Sequence, residues 1–397
     1  MSSFLSSRLP GTEARTLFSF FFAQGLCMAS WAGRIPHFNA AFADTYTFWG
    51  MLLFLIPVGK FIALPTTSML IKRFGSDRMS QAGLTGYVLS LLGLSMAHNV
   101  WLLGLFLFLF GVCWNVCDIS FNTQAVEAER RSGLNLMATF HGGWSLGACT
   151  GALLAFGHSW YEVTPLYHYL LIWALVFVVL AVGRNGLSKS QPEAVTSSEG
   201  SGLNAFAAFL RRPESGLLLL GAVGLCGLLI ESSMFDWGAV YFQRVTQLPE
   251  TIQIGFLIFV SMMTVGRFST NYAYARWGKK QVLRGVGVLI AVGFLTSALG
   301  GWILTDVLGF MMVGLGISCV VPTLYSFVGS TTRLPIDVAI TILSTISFLG
   351  SLVAPLLIGY VSDAFGLRMA YVGMGLIGLL MVIIISVSKV FDTERAE

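Results

Sequence analysis

Six ionisable side chains stand inside otherwise apolar runs of this sequence: Arg34, Lys60, Asp118, Glu231, Asp236 and Arg267. A charge in such surroundings is costly, which makes each a candidate for function. Asp118 has the richest setting. Asn122 follows one helical turn later, Asn115 precedes it by almost one turn, and His141 opens the next apolar run. If 101–126 is a helix, Asp118 lies ~26 Å from its start, near the depth of His141. A carboxylate among amides and an imidazole, with little water, suits the uptake and release of a proton. It could equally pair with Lys60 or His141 and hold helices together. Trp31, Trp114, Trp144 and Trp237 add flat faces that suit a sugar ring or a cation.

The elements that must position these groups are long apolar spans. Hydrophobic residues make up 55% of the 397 and charged residues 11%, against about 25% charged in soluble domains. The spans read as 16–40, 47–71, 79–98, 101–126, 136–157, 165–183, 215–241, 251–274, 281–300, 303–328, 338–361 and 369–388. Each is close to the ~20 residues that cross a bilayer as a helix. The expected fold is therefore an all-α membrane protein of twelve transmembrane helices in two six-helix bundles. The N-terminal bundle covers 1–183, a cytoplasmic linker 184–214 and the C-terminal bundle 215–397. Spans 79–98 and 281–300 are rich in Gly and Ser, which let neighbouring helices approach closely.

Cation placement sets the expected orientation. With the N-terminus inside, the inner segments collect Arg8, Arg15, Lys72, Arg73, Arg78, Arg130, Arg131, Arg184, Lys189, Arg211, Arg212, Arg276, Lys279, Lys280, Arg284, Arg333, Lys389 and Arg395. The outer loops hold only Arg244 and Arg368. Both termini are thus expected in the cytoplasm. The net charge of +4 is a topology signal and argues for no nucleic-acid partner. The first apolar stretch is too long for a signal-peptide core, so it is expected as an uncleaved first helix. The linker RNGLSKSQPEAVTSSEGSG has the composition of a flexible segment, and LNAFAAFLRRPES after it is expected as a short interfacial helix. The six cysteines all lie in apolar spans without a CxxC pair, as buried small hydrophobes do.

The halves echo each other. Gly59-Lys60-Phe61 and Arg73-Phe74-Gly75 in the second span return as Gly266-Arg267-Phe268 and Arg276-Trp277-Gly278 in the eighth. Each has a cation within the helix and a basic-aromatic-Gly turn at its end, where Gly can adopt a left-handed conformation and cations oppose the helix dipole. With these turns the chain resembles the major facilitator superfamily: RFGSDR and RWGKKQ look like worn copies of its loop motif. Four further stretches, WAGRIPHF (31–38), DISFNTQAVEAE (118–129), FHGGWSLGACTGA (140–152) and ESSMFDWGAVYF (231–242), resemble the YbjJ-type branch of bacterial transporters, distantly similar to the fucose permeases. The resemblance covers nearly the whole chain. Asn271 stands where the loop motif would carry an acid.

The resemblance implies a secondary active transporter of a small organic solute, working by alternating access in the bacterial inner membrane as a monomer among lipids. It further implies proton-coupled symport of a sugar-like solute, with Asp118 resembling the fourth-helix acid of the fucose permeases. Asp118 and Glu231 are then the proton-coupling candidates, and Asn115, Asn122, His141, Trp144 and Trp237 the substrate-binding ones. In that fold the first and seventh helices face each other, so Arg34 is expected to pair with Glu231 or Asp236 as a gate, unless it turns to the membrane surface. Lys60 and Arg267 could attract an anionic solute, compensate Asp118 or reach the headgroups. Proton-driven efflux of amphipathic or cationic compounds is the rival reading, and a non-transporting receptor a rival of another class. No GxxxxGK[ST] stretch is present to bind ATP. No compact nucleophile, base or metal constellation points to an enzyme, and no cofactor is called for. His98, His158 and His168 lack the ligand set of a metal site.

Overall fold

The computed structural model describes residues 11–134, 136–189, 213–247, 254–332, 334 and 336–392. Most of the linker, the interfacial helix expected after it, and Arg8, Arg211, Arg212, Arg333 and Arg395 lie outside these residues. Among the described residues the chain is helical without strands. The helices are α1 (Gly11–Ala32), α2 (Ile35–Phe42), α3 (Tyr46–Phe74), α4 (Ser76–Ser95), α5 (Val100–Ser132), α6 (Met137–Trp160) and α7 (Pro165–Gly183), then α8 (Ser215–Thr246), α9 (Ile254–Trp277), α10 (Lys279–Gly300), α11 (Ile303–Ile317), α12 (Val320–Thr331), α13 (Ile336–Phe365) and α14 (Leu367–Val387).

These make the twelve spans expected from the sequence, because two spans are broken into pairs of helices. Pro36, at the start of α2, has no N–H to give and its ring crowds the carbonyl of Ala32, so α1 and α2 separate around Gly33-Arg34. Pro322, in the first turn of α12, breaks 303–328 at Ser318-Cys319 in the same way. Among the described residues, nine helices are long and apolar enough to cross a bilayer, counting 303–328 as one. Gly-rich α10 is among them, whereas α1, α4 and α6 are not.

The chain falls into two compact units. One holds Met1–Ala43, Leu52–Val195 and Pro249–Gln253; the other holds Asp44–Met51, Thr196–Leu248 and Ile254–Glu397. In the first, α1 packs along α6 and α4 along α5; in the second, α8 packs along α13 and α10 along both α11 and α14. Small residues set these seams. A Cβ on Gly25 would lie 2.1 Å from Trp144 O, and one on Gly147 would lie 1.9 Å from Phe22 O. Gly350 meets Leu225 O in the second unit in the same manner, at 2.1 Å. The stretch 140–152, with Gly143, Gly147 and Gly151 one turn apart, is thus largely a packing seam against α1.

The turns after α3 and α9 are built on Gly75 (φ 88, ψ 149) and Gly278 (φ 75, ψ 157). This is not the left-handed helical cap expected from the sequence. The backbone is extended with positive φ, a region open essentially to glycine alone. Gly366, between α13 and α14, repeats it (φ 85, ψ 155). The start of α3, grouped with the second unit, is capped by a side chain: Asp363 accepts from the N–H of Tyr46 at 2.9 Å and of Thr47 at 2.7 Å.

Candidate functional site

In the first unit the chemistry gathers on α5. Asp118, Asn122, Val126 and Arg130 recur every fourth residue, and Ile119, Thr123 and Glu127 lie beside them; together they line a cavity of about 550 Å³. Asp118 is half-buried and accepts from Gln24 Nε2 of α1 at 3.3 Å. Asn122 turns its amide back to the Asp118 carbonyl at 2.8 Å, which leaves its side-chain oxygen for other donors. One turn before Asp118, the Trp114 ring carries the Lys60 ammonium at 3.9 Å from its centroid, a cation–π contact. His141 is exposed, with the edge of its ring toward Phe21 at 5.3 Å.

Gly59 explains how Lys60 reaches this place. A Cβ there would lie 2.3 Å from Phe108 O of α5, so only glycine lets α3 press so closely. Gly266 does the same for α9 against α11: a Cβ would meet Ser318 Oγ at 2.3 Å and Leu315 O at 2.9 Å. The repeated Gly-cation-Phe is therefore a close-packing device that delivers a cation. In the second unit that cation, Arg267, lies 3.7 Å from Glu231 of α8. Both are partly accessible, at 28% and 20%, so the pair is loose and wettable.

The other residues named from the sequence lie in more buried settings. Asn115 is 5% exposed and accepts from Thr67 Oγ1 at 3.0 Å; it ties α3 to α5 and does not line the cavity. Trp237 is fully buried, with Tyr46 at 6.1 Å, so its face is packed. Trp144 is half-buried in the α1–α6 seam, where its carbonyl meets Gly25. Arg34 is 3% exposed and is held inside its own unit. Its Nε donates to His168 Nδ1 at 3.3 Å, NH1 to Ser159 Oγ at 3.1 Å and NH2 to the Val163 carbonyl. Neutral acceptors from the α6–α7 turn thus hold this guanidinium, and Glu231 has a different cation in Arg267. Asp236 is half-buried on α8, five residues beyond Glu231.

Other polar residues escaped the sequence reading. Gln24 stood in an apolar run as a neutral side chain and drew no attention. Glu129, in the 118–129 stretch, caps α6 by accepting from the N–H of Leu136 at 2.6 Å and Met137 at 2.8 Å. Gln124 in the same stretch bonds Ser76 Oγ at 2.8 Å and Ser188 O at 2.9 Å. That stretch therefore both lines the recess and ties neighbouring segments together.

Twelve helical spans in two units, with charged side chains set among apolar ones, are the plan of a polytopic membrane protein. The chain belongs to the major facilitator superfamily: the description of that family matches residues 16–334. It is 30% identical over 374 residues to the uncharacterised transporter y4wD of Sinorhizobium fredii, covering 93% of this chain and 96% of that one. Its fold is similar to a crystal structure of the nucleoside transporter NupG, at TM-score 0.74 and 12% identity over 94% and 97% of the chains. It is also similar to the fucose:proton symporter FucP of E. coli, at TM-score 0.60 and 17% identity over 94% and 97%. The protein is a transporter of the major facilitator kind and not an enzyme.

Proposed function

We propose that the protein is a proton-coupled symporter of a small, sugar-like solute, of the YbjJ-type branch. It would work by alternating access in the bacterial inner membrane, as a monomer with both termini in the cytoplasm. The observation that carries this reading is Asp118, a carboxylate on a membrane helix that opens onto a cavity beside Asn122, Thr123 and Glu127. Amide, hydroxyl and carboxylate groups there suit a neutral polyol, whose hydroxyls both donate and accept.

Glu231 is the second coupling group. Protonation would cancel its attraction for Arg267 and free the guanidinium, and a partly hydrated pair separates at lower cost than a dry one. Coupling thus needs only that solute binding favour one protonation state of Asp118 or Glu231. Reconstitution into vesicles with an internal pH dye tests the reading, with L-fucose and uridine as first probes among sugars and nucleosides. Inward solute flux with co-entry of protons is expected. Solute extrusion driven by inward proton flow would favour efflux instead.

A further inference from the structure

A second buried carboxylate lies outside that machinery. Asp306, in the first turn of α11, is 1% exposed. Gly293 and Gly309 bring α10 and α11 together: a Cβ on Gly309 would lie 2.4 Å from Gly293 O. One turn on, this approach lets Ser297 Oγ donate to Asp306 Oδ1 at 2.7 Å. Two tyrosines close the pocket. Tyr241 of α8 and Tyr371 of α14 stack at 3.8 Å, and both are fully buried. Tyr371's hydroxyl has no hydrogen-bond partner. Tyr241's hydroxyl lies against Ser297 and Asp306, and Tyr371 lies within electrostatic reach of the same carboxylate. The facing cation is Arg368 of α14, whose NH1 approaches Ala298 O at 3.5 Å. The nearby first turn of α9, Ile254–Phe259, contributes no titratable group.

We propose that Asp306, Ser297, Tyr241 and Tyr371 form a proton-binding site in the second unit, separate from Asp118 and Glu231. The chemistry suits both states. A carboxylate accepts only, whereas a carboxylic acid also donates, and hydroxyls answer either need. With Asp306 ionised, Ser297 and the Tyr241 phenol serve as donors. When hydronium gives up its proton and leaves as water, the new acid O–H has a phenol oxygen to donate to. A helix N-terminus alone would favour only the ionised form; the Tyr241 hydroxyl against the carboxyl provides for the neutral one as well.

The test is an infrared difference titration of the purified full-length protein, following carboxylic-acid carbonyl bands. One band is expected to vanish in Asp306→Asn and to persist in Asp118→Asn. Its midpoint is expected to shift by about one pH unit, tenfold in proton affinity, when Tyr241→Phe and Tyr371→Phe are combined. Should Asp306→Asn not fold, Ser297→Ala and the tyrosine pair give the same readout. A spectrum that keeps every band in Asp306→Asn, or a midpoint indifferent to both phenols and Ser297, overturns the proposal. Loss of thermal stability without any change in the titration would make Asp306 a helix cap only, and overturns it too.

Discussion

Glu231 of α8 and Arg267 of α9 stand 3.7 Å apart, each partly accessible. In Arg267's counterpart position in the other unit, Lys60 lies over the Trp114 ring instead. The same Gly-cation-Phe packing device thus delivers its charge to a carboxylate in one unit and to an aromatic face in the other. A carboxylate can lose its charge to a proton; an indole cannot. Protonation of Glu231 would remove the carboxylate charge that Arg267 faces.

Glu231→Gln should abolish the response of transport to a pH gradient while solute exchange at equal pH persists. Lys60→Met should leave the pH response in place and cost about 0.5–2 kcal/mol of stability, the range of a cation–π contact. Parallel flux and thermal-unfolding measurements on the two variants check this. If Glu231→Gln keeps gradient-driven accumulation, the pair is structural.

Arg34 anchors the α6–α7 turn through acceptors at Ser159, Val163 and His168. Arg34→Met should strand these groups and destabilise by about 2–4 kcal/mol. Arg34→Lys, with fewer and differently directed donors, should fall between. Thermal unfolding in detergent reads the order; equal stability of all three would deny the anchor.

Gly75 and Gly278 share a backbone conformation that side chains avoid. Gly75→Ala and Gly278→Ala should each cost about 1–3 kcal/mol. Replacing the adjacent Arg73 or Arg276 by Gln should cost less than about 1 kcal/mol, since surface charges contribute little. A chemical-denaturation series would show the contrast, and its absence would mean that charge, not conformation, shapes the turns.

Glu129 holds the start of α6 through two amides. Glu129→Ala should lower stability by about 1–2 kcal/mol, as loss of a helix cap does. Glu129→Gln keeps an acceptor oxygen and should recover much of that. Hydrogen exchange at Leu136 and Met137 is the local check: faster exchange in Glu129→Ala is expected, and unchanged exchange would contradict the cap.

The spans were legible because apolar length is a local property; the breaks at Pro36 and Pro322 were not, since Pro57, Pro65 and Pro355 lie inside unbroken helices. The repeat around Lys60 and Arg267 was legible as a motif, but its meaning was not. It depends on Phe108 and Leu315, which sit on other helices. Arg34 stood out by its depth, yet its partners are neutral groups 125–134 residues away, which no charge count can find. Asp306 passed unnoticed because an acid in a first helical turn reads as an ordinary response to the helix dipole. Trp237 and Asn115 were named for their chemistry alone, and their burial depends on neighbours from other helices that the local sequence does not show.

The proposed coupling rests on a proton carried by Asp118, and Asp118→Asn in vesicles is its sharpest test. Once a transported solute is in hand, the variant should still bind it and exchange it across the membrane. It should not accumulate it when a pH gradient is imposed. Accumulation by Asp118→Asn at the wild-type level under that gradient would contradict the account.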